Sequence, residues 1–333
     1  MEFPLRQGML VAHTAAMTSP RFVQLHLEDS AALRVELAQG LMGEPASVSP
    51  KFLYDALGSR LFDAITELPE YYPTRVERSI FERHANAMAA IAGRGRTLID
   101  LGAGNCQKAA RLFDVLAPMR YVAVDISVEY LRESLAALQR QHPRVEMVGV
   151  GADFSAALTL PPEVGGGERL LFYPGSSIGN FTPRDALRFL RQARAVGGPG
   201  GALLIGVDLV KPRPVLELAY DDPLKVTAAF NLNLLRRLNA LLGCNARIDD
   251  FDHVALFDEA ESRIEMHLKT RRAVTLRWPG GERALAAGER IHTENSYKYR
   301  VDGFDRLLRE AGFVRTTHWS DERQWFAVFL AMA

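Results

Sequence analysis

The chain has 333 residues, 48% of them hydrophobic, with 40 acidic and 40 basic side chains and a formal net charge of zero. That length is long for one compact domain and short for three, and the apolar content suffices for a full core. The sequence carries no basic block to face a nucleic-acid backbone, no apolar run near the roughly 18–20 residues of a membrane span, and only two cysteines, Cys106 and Cys244, too few for a disulfide framework or a metal knuckle.

These bounds point to a small-molecule ligand and a reducing, cytoplasmic setting. Residues 1–20 lack the long apolar core of a signal peptide and are expected to form a loosely held arm. Residues 21–48 carry a helical period through Leu33, Val35, Leu37, Leu41 and Met42. The next stretch is dense in aromatics, among them Tyr54, Phe62, Tyr71 and Tyr72, and Pro69 and Pro73 bracket Glu70-Tyr71-Tyr72. Proline fixes its own φ and holds the preceding residue extended, so a stiff loop carrying tyrosines is predicted, either as core or as a ligand lid. Thr74 with Glu77 three residues on predicts a capping box, opening a helix that runs to about residue 92.

Thr97-Leu-Ile-Asp100-Leu-Gly102-Ala-Gly104 is the stretch around which the chain is organised. It predicts a buried strand ending in an acid and a Gly-x-Gly turn, where the missing Cβ atoms let a ligand approach the backbone. A helix is expected over 108–116. A second strand, 121–125, ends at Asp125, placed to accept hydrogen bonds from ribose hydroxyls. Position 107 is Gln, not the third glycine of a dinucleotide site. The acids Asp100 and Asp125 beside the loop suit the ammonium and sulfonium charges of S-adenosylmethionine (SAM) better than a pyrophosphate. The bland alternative is a glycine turn that merely closes a strand.

The alternation continues. A helix is predicted over 128–141, a strand over 145–150 ending near Asp153, and a strand over 169–173 leading to Gly175-Ser-Ser-Ile-Gly-Asn180. A helix over 184–196 and a strand over 202–207 ending at Asp208 follow. Strand and helix alternating in this way imply a parallel sheet with ligands at its carboxyl ends, where Asp100, Asp125, Asp153 and Asn180 fall. After Asp208 the pattern breaks. A linker at 212–214, a long helix over 224–242 and antiparallel strands near 253–257, 262–270 and 273–278 are expected, then a polar stretch over 288–300. A helix over 304–311 and two strands near 314–319 and 325–331 return to the first pattern. His253, His267, His292 and His318 show no ligand spacing, and no metal is expected.

Motifs lying in order along the chain resemble the EgtD family of SAM-dependent histidine Nα-methyltransferases of ergothioneine biosynthesis. They are Phe-Leu-Tyr54-Asp-Ala-Leu-Gly-Ser, Leu-Pro-Glu-Tyr71-Tyr-Pro-Thr-Arg75, Gly175-Ser-Ser-Ile-Gly-Asn180, Ala219-Tyr220-Asp-Asp, Thr227-Ala-Ala-Phe-Asn-Leu-Asn233, Arg263-Ile-Glu-Met266 and Thr293-Glu-Asn-Ser296. The resemblance implies an α/β fold, a class I SAM-methyltransferase Rossmann-like parallel sheet, with a second α+β substrate domain. The boundaries expected are 75–211 with 301–333 for the SAM domain, and 21–74 with 212–300 for the substrate domain.

For SAM the resemblance implies Tyr54, Gly102, Gly104, Lys108, Asp125, Asp153 and Phe154. Lys108 would meet the methionine carboxylate, Asp125 the ribose, and Asp153 with Phe154 the adenine. For L-histidine it implies Asn180 and Tyr220 on the α-carboxylate and Tyr71, the expected catalytic residue, near the α-amine. Glu294 and Ser296 would hold the imidazole, with Phe62, Gly175 and Met266 shaping its pocket. Three rounds on one nitrogen would give trimethylhistidine (hercynine), and the enzyme is expected to act as a monomer with no nucleic-acid or membrane partner. Asn105-Cys106-Gln107 departs from the family's usual Ser/Thr-Ser-Glu-type loop, and Asn295 is expected to point away from the site. Three rivals remain: methylation of another amino acid, a SAM-binding sensor that has lost catalysis, or an α/β-hydrolase with Ser177 in a Gly-x-Ser-x-Gly elbow and Asp208 and His318 completing a triad.

Overall fold

Short runs of Val, Ile, Leu and Tyr with no polar face can only be strands covered on both sides, and they build the centre of the molecule. The structure is a computed structural model that describes residues 19–25, 30–155 and 157–333. The arm expected over residues 1–20 therefore lies outside the described residues, apart from 19 and 20.

In chain order the first elements are β1 (Arg21–Gln24), α1 (Ser30–Met42), α2 (Ala56–Thr66), α3 (Tyr72–Ala92), β2 (Thr97–Leu101), α4 (Gln107–Ala110), α5 (Phe113–Leu116), β3 (Arg120–Asp125), α6 (Val128–Gln141) and β4 (Glu146–Gly151). Then come β5 (Arg169–Tyr173), α7 (Pro183–Gly197), β6 (Ala202–Asp208), α8 (Arg213–Tyr220), α9 (Val226–Leu242), β7 (Phe251–Asp258), β8 (Arg263–Thr270), β9 (Val274–Trp278) and β10 (Gly281–Leu285). The chain closes with β11 (Arg290–Tyr297), α10 (Val301–Glu310), β12 (Arg315–Ser320) and β13 (Phe326–Met332).

Eight strands form one sheet in the order β1-β4-β3-β2-β5-β6-β13-β12. All neighbours run parallel except β13, which is antiparallel to both β6 and β12. The order turns back on itself between β2 and β5. That reversal opens a crevice at the strands' carboxyl ends, the place where open α/β sheets bind ligands. Ile99, Leu101, Val122 and Val124 pack one face against α7 and α10. Leu98, Tyr121 and Ala123 pack the other against α3, α5 and α6. This is the class I methyltransferase sheet that the motifs imply.

A third core is built by α1, α2, α8 and α9 with the antiparallel sheet β11-β8-β7 and the hairpin β9-β10. Leu37, Leu41, Leu234, Leu238, Ile264 and Ile291 are buried in it. Tyr71, Tyr72 and Tyr220 belong to this core too, which brings it up to the sheet's carboxyl edge.

Several expectations change. Residues 21–24, expected in a helical stretch of the substrate domain, form β1 and extend the main sheet beside β4. The helix expected over 108–116 breaks at Arg111-Leu112 into α4 and α5. The linker expected at 212–214 opens α8, with Pro214 in its first turn, where the missing N–H leaves no intrahelical bond unmade. The polar stretch over 288–300 contains a paired strand, β11. Finally, α3 begins at Tyr72 with no side-chain cap, so Thr74 and Glu77 form no capping box. Glu77 is instead 1% exposed and points into the sheet edge.

There Glu77 accepts the Gly175 N–H at 2.7 Å and pairs with Lys108 at 2.9 Å. Space for it exists because residue 206 on β6 is glycine. A Cβ there would lie 2.2 Å from Glu77 Oε1 and 2.9 Å from the Phe326 ring. Gly206→Ala should destabilise the protein by about 1–3 kcal/mol, since neither neighbour can move without losing a contact. Urea unfolding of the variant checks this; an unchanged midpoint would show that Glu77 is free to shift.

Candidate active site

At the carboxyl edge of the sheet lies a cleft of about 400 Å³. Gly102, Gly104, Asp125, Asp153, Phe154 and Tyr54 all line it. The backbone of the Gly-x-Gly turn is held by Asp125, whose carboxylate accepts the Gly104 N–H at 2.9 Å and the Ser127 N–H at 2.8 Å. Burial raises the Asp125 pKa against these hydrogen bonds. Asp153 is half-buried. The hydrogen bonds from Ser155 and the charge of Lys51, 3.2 Å away, outweigh that burial and hold its carboxyl below the usual range. Phe154 packs edge-on to Tyr173, with ring centroids 5.9 Å apart.

Four carboxylates (Asp63, Asp125, Asp153, Asp185) and two cations (Lys51, Arg188) line this cleft. An excess of acid suits a nucleoside that carries a cation and opposes a pyrophosphate, so these residues fit SAM in its chemistry. Lys108 does not line the cleft. Its ammonium sits on Glu77, 2.8 Å from where a Cβ of Gly175 would be. Asn105, the departure in the glycine loop, donates to Asp63 at 3.2 Å and ties the loop to α2.

A smaller chamber adjoins the cleft, with Tyr54, Phe62, Ser177 and Asn180 on the wall of both. Every residue expected on the substrate side lines it. Tyr71 enters from the loop between α2 and α3, and Gly175 and Asn180 from the segment after β5. Tyr220 comes from the end of α8, Met266 from β8, and Glu294 and Ser296 from β11. The Leu68–Tyr71 loop is braced by Arg75, which donates to the Leu68 carbonyl at 3.2 Å. Gly179 lets the Asn180 segment approach β11. A Cβ there would lie 2.9 Å from the Tyr297 carbonyl oxygen.

A bulge sets the direction of Glu294. In the β11–β8 ladder His292 opposes His267 and Glu294 opposes Met266, so Thr293 is an extra residue. A bulge shifts the side-chain alternation of its strand. Thr293 is buried and donates to the Met266 carbonyl at 3.0 Å, while Glu294 and Ser296 share the chamber face. Asn295 lies on the other face, its Oδ1 accepting from His292 Nε2 at 2.9 Å, as expected of a residue pointing away.

Burial governs the electrostatics. It pushes the phenols of Tyr54, Tyr71 and Tyr220 well above their ordinary range, so all three stay protonated at neutral pH. It raises Glu294 to about 7, against the nearby charge of Lys298, which lowers it. Asn180 approaches Glu294 at 3.4 Å. Tyr54, Phe62 and Phe230 form an aromatic wall, with centroids 5.4–6.0 Å apart.

The sequence reading missed Phe230, Glu77, Lys51 and the lysines behind the chamber, Lys211 and Lys298. Phe230 lay within one of the family motifs and Glu77 in the expected capping box; the three lysines gave no local signal. The hydrolase triad is not assembled. The Asp208 carboxylate is taken by Tyr72 and two lysines, and His318 sits on β12 against Phe329.

The family described as "Histidine-specific methyltransferase, SAM-dependent" matches residues 33–333. The histidine N-alpha-methyltransferase of Mycobacterium tuberculosis (strain CDC 1551 / Oshkosh) is 41% identical over 92% of this chain and 97% of its own length. That of Mycolicibacterium smegmatis is 40% identical over 91% and 96%. The ergothioneine biosynthesis protein 1 of Neurospora crassa is 32% identical over 83% of this chain, which spans 32% of that protein's length. The matched length, the sheet order and the paired cleft and chamber agree: the chain belongs to the SAM-dependent, histidine-specific methyltransferase family.

Proposed function

We propose that this protein transfers methyl groups from SAM to the α-nitrogen of L-histidine, in three rounds, giving the trimethylated betaine hercynine for ergothioneine biosynthesis. The observation that carries the reading is the chamber itself. It gathers a carboxylate and a hydroxyl, Glu294 and Ser296, with an amide and a phenol, Asn180 and Tyr220, the phenol 2.7 Å from Ser296 and the amide 3.4 Å from Glu294. An amino acid with a polar ring needs both kinds of partner.

SAM supplies an electrophilic methyl group on a sulfonium. In this reading Asp125 holds the ribose, Asp153 and Phe154 the adenine, and the glycine turn and Lys108 the methionine end. Lys108 already lies beside Gly175 and Glu77, so the two ligands would meet there. Asn180 and Tyr220 fix the α-carboxylate by hydrogen bonds without a direct ion pair. A Glu294 carboxyl poised near 7 can accept from a ring N–H or donate to a bare ring nitrogen. A phenyl ring offers neither, and an unpaired buried carboxyl penalises that ligand.

Tyr71 orients the amine and does not act as a phenolate base, because its phenol is held protonated. The chain's contribution to rate is then mainly alignment of a neutral amine with the methyl donor. The aromatic faces of Tyr54, Phe62 and Phe230 suit a nitrogen that becomes a quaternary cation. Both sites are assembled within one chain, so the reading needs no second copy and no macromolecular partner. No described helix is long and apolar enough to cross a membrane, and both cysteines are free and buried.

Mass spectrometry of the protein incubated with SAM and each of the twenty amino acids should show successive methyl additions on histidine alone; methylation of a different amino acid would replace the substrate. Glu294→Ala should lower kcat/KM for histidine by about 100-fold, as expected for loss of a charged hydrogen-bond partner, while SAM affinity stays within about two-fold. Equal losses for both ligands would remove the assignment.

Stability should report the same carboxyl. Glu294 titrates near 7 when folded, against the ordinary 4.5. Below both values its proton is bound in either state. Between them only the folded protein keeps it, so stability falls as pH rises, and above 7 the loss is complete. Glu294→Gln does not titrate, and should gain roughly 2–3 kcal/mol relative to the parent between pH 4.5 and 7.5. Urea unfolding across that range checks the sign; a constant difference would mean that Glu294 keeps its ordinary pKa.

A further inference from the structure

Behind the chamber, Lys298 is fully buried and each of its three N–H groups has an acceptor. They go to Asp208 Oδ2 at 2.8 Å, Ser296 Oγ at 2.7 Å and the Tyr220 hydroxyl at 3.1 Å. An ammonium has three donors and no acceptor, so this side chain has nothing left to offer a ligand. The two hydroxyls it meets lie 2.7 Å apart and share one proton between them. Glu294, Ser296 and Lys298 stand at every second position, the spacing that keeps side chains on one face of a strand.

Asp208 does not need Lys298 for neutrality. It already pairs with Lys211 and accepts from Tyr72 at 2.6 Å. Lys211 also donates to the Tyr72 hydroxyl at 2.8 Å. By hydrogen-bonded groups the cluster thus holds two lysines for one carboxylate, and the surplus cation, whose charge also reaches Glu294, is the one placed under Ser296 and Tyr220. Burying an unneeded ammonium is unfavourable, so its place calls for a task that Lys211 does not perform.

We propose that Lys298 is a positioning residue for the amino-acid substrate. By donating to Ser296 and Tyr220 together, it occupies acceptor sites on both hydroxyls. One hydroxyl proton then closes the bond between them, and the other is turned toward the chamber. The pair meets the ligand as an oriented donor, and the ring end and the carboxylate end are recognised as one unit. Without Lys298 the two hydroxyls have a free choice of partners and either can turn its proton inward. This inference rests on the reading that the chamber takes histidine.

The test is a mutant cycle on histidine affinity, measured by calorimetry with S-adenosylhomocysteine (SAH) bound. Lys298→Met leaves Asp208 paired with Lys211, so the fold should survive. Histidine affinity should fall at least about ten-fold, the scale of a lost charged hydrogen bond, with SAH affinity within about two-fold. In a Ser296→Ala background the same change should cost less than about three-fold, because the hydroxyl pair that it orients is already broken. Unchanged histidine affinity would overturn the proposal, as would an equal loss in both backgrounds, which marks a structural role. Should Lys298→Met not fold, Lys298→Gln carries the cycle, with a loss of at least about three-fold and the same non-additivity. Parent protein that binds SAH but no histidine would overturn the substrate reading and this proposal with it. That result is distinct from a parent that binds histidine and a variant that binds it equally well.

Discussion

A carboxylate at the end of a fully buried strand has to be met by donors, and the way Asp208 is met joins this molecule together. Asp208 closes β6 in the main sheet with no exposed surface. Its partners come from the start of α3 (Tyr72), from the chain leaving β6 (Lys211) and from the residue after β11 (Lys298). Burial alone would lift its pKa, but the two lysines win and hold it below the ordinary range. The cluster therefore stays ionised. Each partner is also part of, or next to, an element that lines the chamber, so the substrate side is referenced to the sheet by charge as well as by packing.

The second consequence of burial is that the chamber presents few net charges. Its three phenols are protonated, and its one lining carboxyl is poised near neutrality. Methyl transfer to nitrogen requires an amine that has lost its proton, and a site of neutral donors and acceptors does not stabilise the ammonium as a strong ion pair would. The cleft beside it is different, with four carboxylates to two cations along its wall. The boundary between the two environments falls on Tyr54, Phe62, Ser177 and Asn180, which belong to both. A reaction that moves a methyl group from a cationic donor to a neutral acceptor has to take place at such a boundary.

Glu77 shows how a pattern can be read correctly as spacing and wrongly as role. Threonine followed three residues later by glutamate satisfies a capping rule, but α3 begins two residues before that threonine. The glutamate turns inward instead and connects Lys108 on α4 to the Gly175 backbone in the chamber wall. A glycine on β6, distant in sequence, makes the space. No window of local sequence contains both residues.

The chain's own residue order determined the parallel strands, their acidic carboxyl ends and the glycine turn, because strand periodicity and turn chemistry are local. The motifs and their resemblance likewise pointed to eight residues for the substrate side, and all eight line the chamber. Tertiary structure decided the rest. The segment 21–24 became a strand because the edge of β4 was open to it, and the polar residues of β11 became a strand because β8 offered a ladder. Polar side chains carry no strand signal of their own when their partners are supplied from elsewhere. The aim of Glu294 depends on a one-residue bulge, and the place of Lys298 on a carboxylate ninety residues earlier in the chain. Neither is local, and buried charges are paired by geometry that only the folded chain creates.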